Sequence, residues 1–200
     1  MPESDAPAKS NVRMDEILNS AANFFYTKGY HATSIEDVAR DVGMLKGSLY
    51  YYIKSKEDLL YGLLLGVMEQ GTGKVEKALE GVKDPVERLE KGIEQHIEHI
   101  IRNQVRVGLF LHEFDSLSGR RKQRVHESQK EYQKIFTGII KDGQSSGVFI
   151  SGEPDLLVDA MLGMCNWIYR WYHQENSPKL EVVKKTFIGL IKGGIMKRER

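Results

Sequence analysis

The chain has 200 residues, 40% of them hydrophobic and 28% charged, which is ordinary for a globular protein of one domain or two small ones. No apolar run approaches the roughly 18 to 20 residues that a membrane span needs, and the polar N-terminus does not suit a signal peptide. The single cysteine, Cys165, excludes an internal disulfide framework. We therefore expect a cytoplasmic protein without a membrane partner, and the net charge of +1 alone does not indicate nucleic acid.

The first part of the chain predicts four helices joined by short turns. A polar lead, residues 1–11, is expected to be disordered, and the helix after it ends at Gly29. Ser34 predicts the N-cap of a second helix, which Gly43 ends. A third helix follows, and the fourth is expected to end in the stretch Gly71-Thr72-Gly73. The third helix is expected over about 46–52, and the four helices together over roughly residues 12 to 70.

The remainder of the chain also predicts helices, since no strand pattern with turn chemistry is long enough to propose a sheet. Asp84 before Pro85 has the signature of an N-cap followed by a proline at the first helical position. Gly147 is expected to end a long helix. Helices are predicted to begin near Pro85, Gln104, Gly119, Pro154 and Pro178.

The segment from Thr33 to Lys56 has the layout of a helix-turn-helix. It contains a short helix, a tight turn at Gly43 and a second short helix with small and aromatic polar residues; in such a motif the second helix enters the major groove of DNA. Ala39 suits the close crossing of the two helices. Between residues 43 and 56 there are three lysines and no acidic residue, a local positive charge that suits phosphate contacts.

These patterns together predict an all-α fold with two functional parts. The helix-turn-helix belongs to an N-terminal three-helix domain at residues 12–56. Residues 57–200 are expected to form a second, helical domain.

The run VARDVGMLKGSLYYYIKSKEDLL resembles the N-terminal signature of TetR-family transcriptional regulators, with a match over about residues 12–60. Leu45 and Tyr52 depart from the commonest pattern, which has a small polar residue at the first position and phenylalanine or histidine at the second. The resemblance implies binding to a double-stranded DNA operator. The residues it implies for DNA contact are Ser34, Lys46, Gly47, Ser48, Tyr50, Tyr51, Lys54 and Lys56.

The resemblance also implies a role for each of these positions. The start of the second helix, residues 46–48, would face base edges, and Gly47 would allow close approach to the groove. Tyr51 would contact a base or a thymine methyl group, while phosphates would be bound at 34, 50, 54 and 56. The alternative is that the tyrosines only pack; they point about 100° apart, so they cannot all be buried, and Tyr52 is the one expected in the core.

The last two predicted helices have the composition of an association surface. Their apolar residues are Leu156, Leu157, Ala160, Met161, Met164, Cys165, Trp167, Ile168 and Trp171, then Leu180, Val183, Phe187, Leu190, Ile191 and Gly194. Because these residues cover more than one face, and because the family forms a four-helix interface here, we expect a homodimer through the last two helices. The alternative is an intramolecular core.

An effector site is expected between the central helices. Its candidate residues are Arg106, Phe110, Phe114, Phe136, Ile139, Met164, Trp167 and Trp171, although core packing is the commoner role for each apolar residue alone. The stretches HEFDSLSGRRKQRV and NWIYRWY resemble regulators of fatty-acid or sterol breakdown that bind acyl-CoA thioesters. This implies a repressor with an acyl-CoA effector, whose nucleotide would bind the arginines of 120–124. The alternative is a multidrug-type sensor of a hydrophobic or aromatic compound.

Enzyme chemistry is not expected. His96 and His99 have the spacing of a shared metal ligand pair, but the chain contains no HExxH motif, and helix-surface histidines are common. The GTGK stretch at 71–74 lacks the preceding strand and the full spacing of a phosphate-binding loop. We therefore predict no catalytic residue, no bound metal and no cofactor.

Overall fold

The structure is a computed structural model that describes residues 6–197. It confirms the all-α class: over these residues the chain forms no strand, and its extended segments meet only in an isolated bridge between Phe149 and Met196. The helices are α1 (Ala6–Lys28), α2 (Ile35–Asp41), α3 (Lys46–Leu49), α4 (Lys56–Leu79), α5 (Pro85–Arg102), α6 (Gln104–Glu113), α7 (Gly119–Ser145), α8 (Pro154–Asn166), α9 (Ile168–Trp171) and α10 (Leu180–Ile195).

Most predicted helix starts and stops agree with the structure, since they depend on local chemistry. The side chain of Asp84 accepts the amide of Glu87 at 2.8 Å and caps α5, and Gly147 follows α7 with a φ of +76°. Helix α1 begins at Ala6, inside the segment predicted to be a disordered lead, of which residues 1–5 lie outside the described range. In the described range no helix is both long and apolar enough to cross a bilayer.

The predicted end of α4 at Gly71-Thr72-Gly73 is wrong, because the helix continues to Leu79. Gly71 is buried, and a Cβ there would lie 3.1 Å from Nε2 of His99 and 3.4 Å from the ring of Tyr132. The glycine therefore allows close packing against α5 and α7 and does not interrupt the helix.

The chain divides into two compact units. Unit 1 comprises the residues up to Val67 together with Val105–Val125, and unit 2 comprises Met68–Gln104 together with the residues from His126 onward. The core of unit 1 includes the buried residues Ile17, Ala21, Phe25, Val38, Leu49, Ile53, Leu59, Leu60, Leu63, Leu109 and Leu117.

In unit 2, α5 packs against α8, α9 and α10. Its apolar face buries Leu89, Ile93, Ile97 and Ile100, with Phe136 and Ile139 of α7 also fully buried. On α10 the ammonium of Lys184 pairs with the carboxylate of Glu94 at 2.9 Å, and Lys192 pairs with Glu90. These ion pairs join α10 to α5, while Val182 and Leu190 of α10 are exposed.

Candidate nucleic-acid interface

Helix α2 begins with a reciprocal capping box. The hydroxyl of Ser34 accepts the amide of Asp37 at 3.1 Å, and the Asp37 carboxylate accepts the Ser34 amide at 2.9 Å. A hydrogen bond from Lys28 and the bonds from Ser34 lower the pKa of Asp37 well below its usual range. Both polar groups predicted to bind phosphate at Ser34 are thus engaged in the cap.

The turn between α2 and α3 is held from both sides. Gly43 has a φ of +66°, which a glycine adopts without strain, and the amide of Met44 bonds the carbonyl of Ala39 at 2.8 Å. From α1, a guanidinium nitrogen of Arg13 donates to the carbonyl of Val42 at 2.6 Å. The turn therefore presents α3 in one orientation.

Helix α3 ends at Leu49 and not at the predicted residue 52, and Tyr50, Tyr51 and Tyr52 follow it in a turn. One residue of this segment is buried and most of the others are exposed. Leu49 is fully buried, whereas Lys46, Gly47 and Tyr50 are exposed, and Tyr51 is 92% exposed. Tyr52 is half-buried and packs against the core of unit 1, as predicted. The exposed residues have no packing role that would explain them, as expected for a surface that contacts a partner.

Lys46, at the start of α3, forms an ion pair with Glu36 of α2 at 2.8 Å. The hydrogen bond raises the pKa of Lys46 and lowers that of Glu36. Because both side chains are about half exposed, the pair is screened by salt and contributes little to stability. Lys46 is therefore able to exchange this partner for another acceptor.

The two lysines after α3 differ in their surroundings. Lys54 is exposed, whereas the ammonium of Lys56 donates to the carbonyls of Tyr30 at 2.8 Å, His31 at 3.2 Å and Thr33 at 2.9 Å. It also lies 4.5 Å from the ring centroid of Tyr30. Lys56 thus links α4 to the turn after α1, an interaction that sequence spacing alone does not reveal.

Two members of the basic cluster predicted for a nucleotide have acidic partners within unit 1. Arg121 bonds Glu57 at 3.3 Å and also Asp58, at the first turn of α4, and Lys122 bonds Asp115 at 2.8 Å. Arg106 donates to the side chain of Asn19 at 2.7 Å. Any anion bound by these residues would compete with the existing contacts.

The residues predicted for the effector are distributed over both units. In unit 1, the half-buried rings of Phe110 and Phe114 lie 6.1 Å apart. In unit 2, Phe136 and Ile139 are fully buried, and Trp171 stacks on Phe187 at 6.5 Å. The other two predicted residues, Met164 and Trp167, are exposed on the surface of unit 2.

Unit 2 contains a buried polar pair that the sequence does not predict. Nδ1 of His96 lies 2.7 Å from the hydroxyl of Tyr132, and both residues are buried beside Phe136. Burial, with a smaller contribution from His99, lowers the pKa of His96 from 6.5 to about 3, and burial raises that of Tyr132. Sequence spacing indicates His96 only as a possible metal ligand with His99, because its apolar surroundings depend on helices distant in sequence.

The stability of the protein is expected to depend on the protonation of His96. Because its pKa is lower in the folded chain, the unfolded chain binds the proton first as the pH falls. The stabilisation is complete above pH 6.5 and is lost towards pH 3. We expect the free energy of unfolding to fall by about 2 kcal/mol more between pH 7 and pH 5 in the wild type than in His96→Gln. Urea titrations at pH 7 and pH 5 measure the free energy of unfolding of the wild type and of His96→Gln. An equal fall in the two proteins would contradict the prediction.

An exposed short helix behind a fixed glycine turn, on a core shared with α1 and α4, defines a helix-turn-helix protein of the DNA-binding class. A family model described as bacterial regulatory proteins, tetR family, matches residues 17–62, and one described as tetracyclin repressor-like, C-terminal domain, matches residues 82–195. The chain belongs to the TetR family of transcriptional regulators, which confirms the family and the class predicted from the sequence.

Relatives and solved structures agree over nearly the whole chain. The HTH-type transcriptional repressor KstR2 of Mycolicibacterium smegmatis is 30% identical over 196 residues, which cover 96% of this chain and 94% of that relative. The TetR-family regulator PfmR from Thermus thermophilus is 32% identical with a TM-score of 0.82, covering 92% of this chain and 99% of PfmR. AibR, whose crystal structure contains isovaleryl coenzyme A and operator DNA, is 26% identical in sequence with a TM-score of 0.82. The match covers 89% of this chain and 97% of AibR. These proteins are regulators, in agreement with the expectation that the chain is not an enzyme.

Proposed function

We propose that this regulator is a ligand-responsive dimeric repressor that acts in the cytoplasm on a palindromic operator and is controlled by an acyl-CoA thioester. The observation that carries the proposal is the exposed surface of α3 and of the turn that follows it, where Lys46, Gly47, Tyr50 and Tyr51 are exposed and Leu49 is buried. In a helix-turn-helix this surface reads base edges, while flanking lysines such as Lys54 contact phosphates. Ser34 and Ser48 complete the proposed DNA-binding set.

An acyl-CoA effector agrees with one solved structure to which the chain is similar, because the AibR structure contains isovaleryl coenzyme A together with operator DNA. The printed name of KstR2 supports the repressor role only. The proposed targets are genes of fatty-acid or related lipid metabolism. The residues proposed for the effector are kept as a prediction within each unit, namely Arg106, Phe110 and Phe114 in unit 1 and Phe136, Ile139 and Trp171 in unit 2.

Binding to DNA from upstream of the protein's own gene tests both parts of the proposal. The affinity for this DNA is expected to fall steeply with salt, because phosphate neutralisation releases counterions, and to fall further with long-chain acyl-CoA. Specific binding that acyl-CoA does not change would reject this effector and favour a hydrophobic or aromatic one. If the protein bound neither this DNA nor any site in a genome-wide selection specifically, the proposal that it is a repressor would be rejected.

We propose that the dimer forms through exposed faces of α8 and α10. On α8 the exposed residues Leu156, Ala160, Gly163 and Trp167 recur at positions i, i+4, i+7 and i+11, so they share one face. On α10 a matching exposed face contains Val182, Thr186, Gly189, Leu190 and Gly193. Small residues between large apolar ones allow close helix approach, and Trp167 and Met164 therefore suit the dimer better than the effector site.

Lys54 and Lys56 provide a matched pair of variants. Lys56→Met removes three hydrogen bonds to carbonyls and should lower the free energy of unfolding by about 2 kcal/mol. Lys54→Met should leave stability unchanged but reduce the slope of log affinity against log salt by about 1 for each protomer. Thermal unfolding and salt-dependent DNA titrations measure the two effects. A lower salt slope with unchanged stability in Lys56→Met would instead assign a phosphate contact to Lys56.

Gly47→Ala should affect stability and DNA binding in opposite directions. Among the described residues, and apart from the chain neighbours and the backbone of the helix itself, no atom lies within 4 Å of a Cβ at this position, so alanine should stabilise the helix by about 0.5–1 kcal/mol. The same methyl group would hold α3 away from the groove, and we expect DNA affinity to fall by about tenfold or more. Calorimetry and DNA titration on the same preparation test this. Unchanged affinity in a more stable variant would show that Gly47 does not approach DNA.

A further inference from the structure

Leu45 lies at a position where neither core packing nor helix capping explains the choice of a leucine. It is the N-cap of α3, with φ −72° and ψ 144°, and its side chain makes no capping hydrogen bond. Leucine is a poor N-cap, since serine, threonine, asparagine or aspartate would satisfy a helix amide. The side chain is also 79% exposed, so it gains little from burial.

The surroundings of Leu45 leave room for a partner. Gly47 follows two residues later, and a Cβ built there would meet open space. Tyr51, further along the same segment, is 92% exposed. A single exposed leucine on an ordinary surface needs no explanation. Leu45, however, stands at the start of the helix that the proposed function inserts into the major groove.

The chemistry of the groove restricts what a leucine can bind there. Base edges present hydrogen-bond donors and acceptors, which a branched aliphatic side chain can only desolvate. The one apolar group in the major groove is the C5-methyl of a pyrimidine, carried by thymine or 5-methylcytosine.

We propose that Leu45 is a specificity residue that contacts a pyrimidine C5-methyl group in each half-site of the operator. The inference rests on the proposed function, because it requires α3 to enter the groove. It predicts a fixed thymine or 5-methylcytosine at one symmetric position, with the methyl group contacted by Leu45.

The test uses duplexes selected by the wild type from a random pool of roughly 30 base pairs, long enough for two half-sites about one helical turn apart. In the best duplex each symmetric thymine pair is replaced by deoxyuridine, which removes only the methyl groups. At one position wild-type affinity should fall by about 4-fold per half-site, or roughly 15-fold for a dimer, as expected for the loss of one buried methyl contact each. Cytosine there should bind weakly, and 5-methylcytosine should recover part of the loss.

The variant Leu45→Ala should lose this sensitivity, with less than about a 2-fold effect of deoxyuridine at the same position. Leu111→Ala, which shortens another exposed leucine on α6, is the matched control and should keep the wild-type pattern. Because Leu45 is exposed, thermal unfolding of Leu45→Ala should match the wild type.

Two results would overturn the inference, and they are distinguishable. If wild type and Leu45→Ala respond equally to deoxyuridine at every thymine, DNA binding stands but Leu45 does not read a methyl group. If the pool yields no enriched duplex for the wild type, the proposed function fails and the inference fails with it.

Discussion

Replacing Gly143 with alanine is expected to lower the free energy of unfolding by about 3 kcal/mol, because the added methyl group has no room. An ideal Cβ at Gly143 would lie 2.0 Å from Cδ2 and 2.3 Å from Cε2 of Phe149, a ring that is buried. The ring would have to leave its place at the end of α7. The gain in helix propensity, at most about 1 kcal/mol, would not compensate.

Displacing Phe149 would also disturb the segments that meet there. Its amide and that of Val148 bond the carbonyl of Gly143 at 3.1 and 3.0 Å. On the other side, the amide of Ile150 bonds the carbonyl of Ile195 at 2.8 Å, and the amide of Lys197 bonds the carbonyl of Val148 at 3.0 Å. The backbone of residues 148–150 therefore connects the end of α7 with the end of α10, and a displacement of Phe149 should loosen both.

Gly138, which lies earlier on α7, is the matched control, because in the described part of the chain no atom outside the backbone of the helix and the chain neighbours lies within 4 Å of a Cβ built there. Gly138→Ala should be neutral or stabilising, whereas Gly143→Ala should lower the melting temperature by roughly 6–12 °C. Shortening the ring with Phe149→Leu in the Gly143→Ala background should recover part of the loss. Equal melting temperatures for the two glycine variants would show that the ring moves at little cost.

The sequence predicted well those features that depend on neighbouring residues. The cap at Ser34, the turn at Gly43 and the start of α5 after Asp84 each involve residues within a few positions of one another. The helix-turn-helix is built from such local signals, so the exposed surface of α3 could be placed from the sequence.

The features that escaped prediction depend on partners distant in sequence. The residues next to Gly71 in the sequence favour a helix end. They carry no information about its close contacts with His99 and Tyr132, which explain why a glycine stands inside the helix. The bonds of Lys56 reach 23 to 26 residues back, and the pairing of His96 with Tyr132 spans 36 residues. A propensity or a spacing gives no information about such contacts.

Helix α8 shows the same limit for an apolar sequence. Its methionines are three residues apart, yet Met161 is buried and Met164 is exposed. Because apolar residues cover most of the helix, the pattern predicts an association surface without showing which face belongs to the core. Only the packing of α5 against α8 separates the two.

The exposed face of α8 and α10 leads to the prediction with the largest expected effect on function. Trp167 is 62% exposed and Leu190 is 60% exposed, so neither contributes much to the core of unit 2. Burying a carboxylate in an apolar dimer interface without a partner is strongly unfavourable. Trp167→Glu and Leu190→Glu should therefore each produce a folded monomer, with helix content by circular dichroism like that of the wild type.

A monomer holds only one half-site, so the loss of dimerisation should weaken binding to the whole operator by about 100-fold or more. Affinity for a duplex with a single half-site should remain unchanged, because α3 is intact in both variants. Analytical ultracentrifugation gives the mass, and titration of the two duplexes separates loss of avidity from damage to the reading surface. The control Leu111→Glu, at an exposed leucine on α6, should remain dimeric. Variants that stay dimeric at every concentration would place the interface elsewhere, whereas monomers that bind the whole operator with wild-type affinity would show that operator binding needs one protomer only.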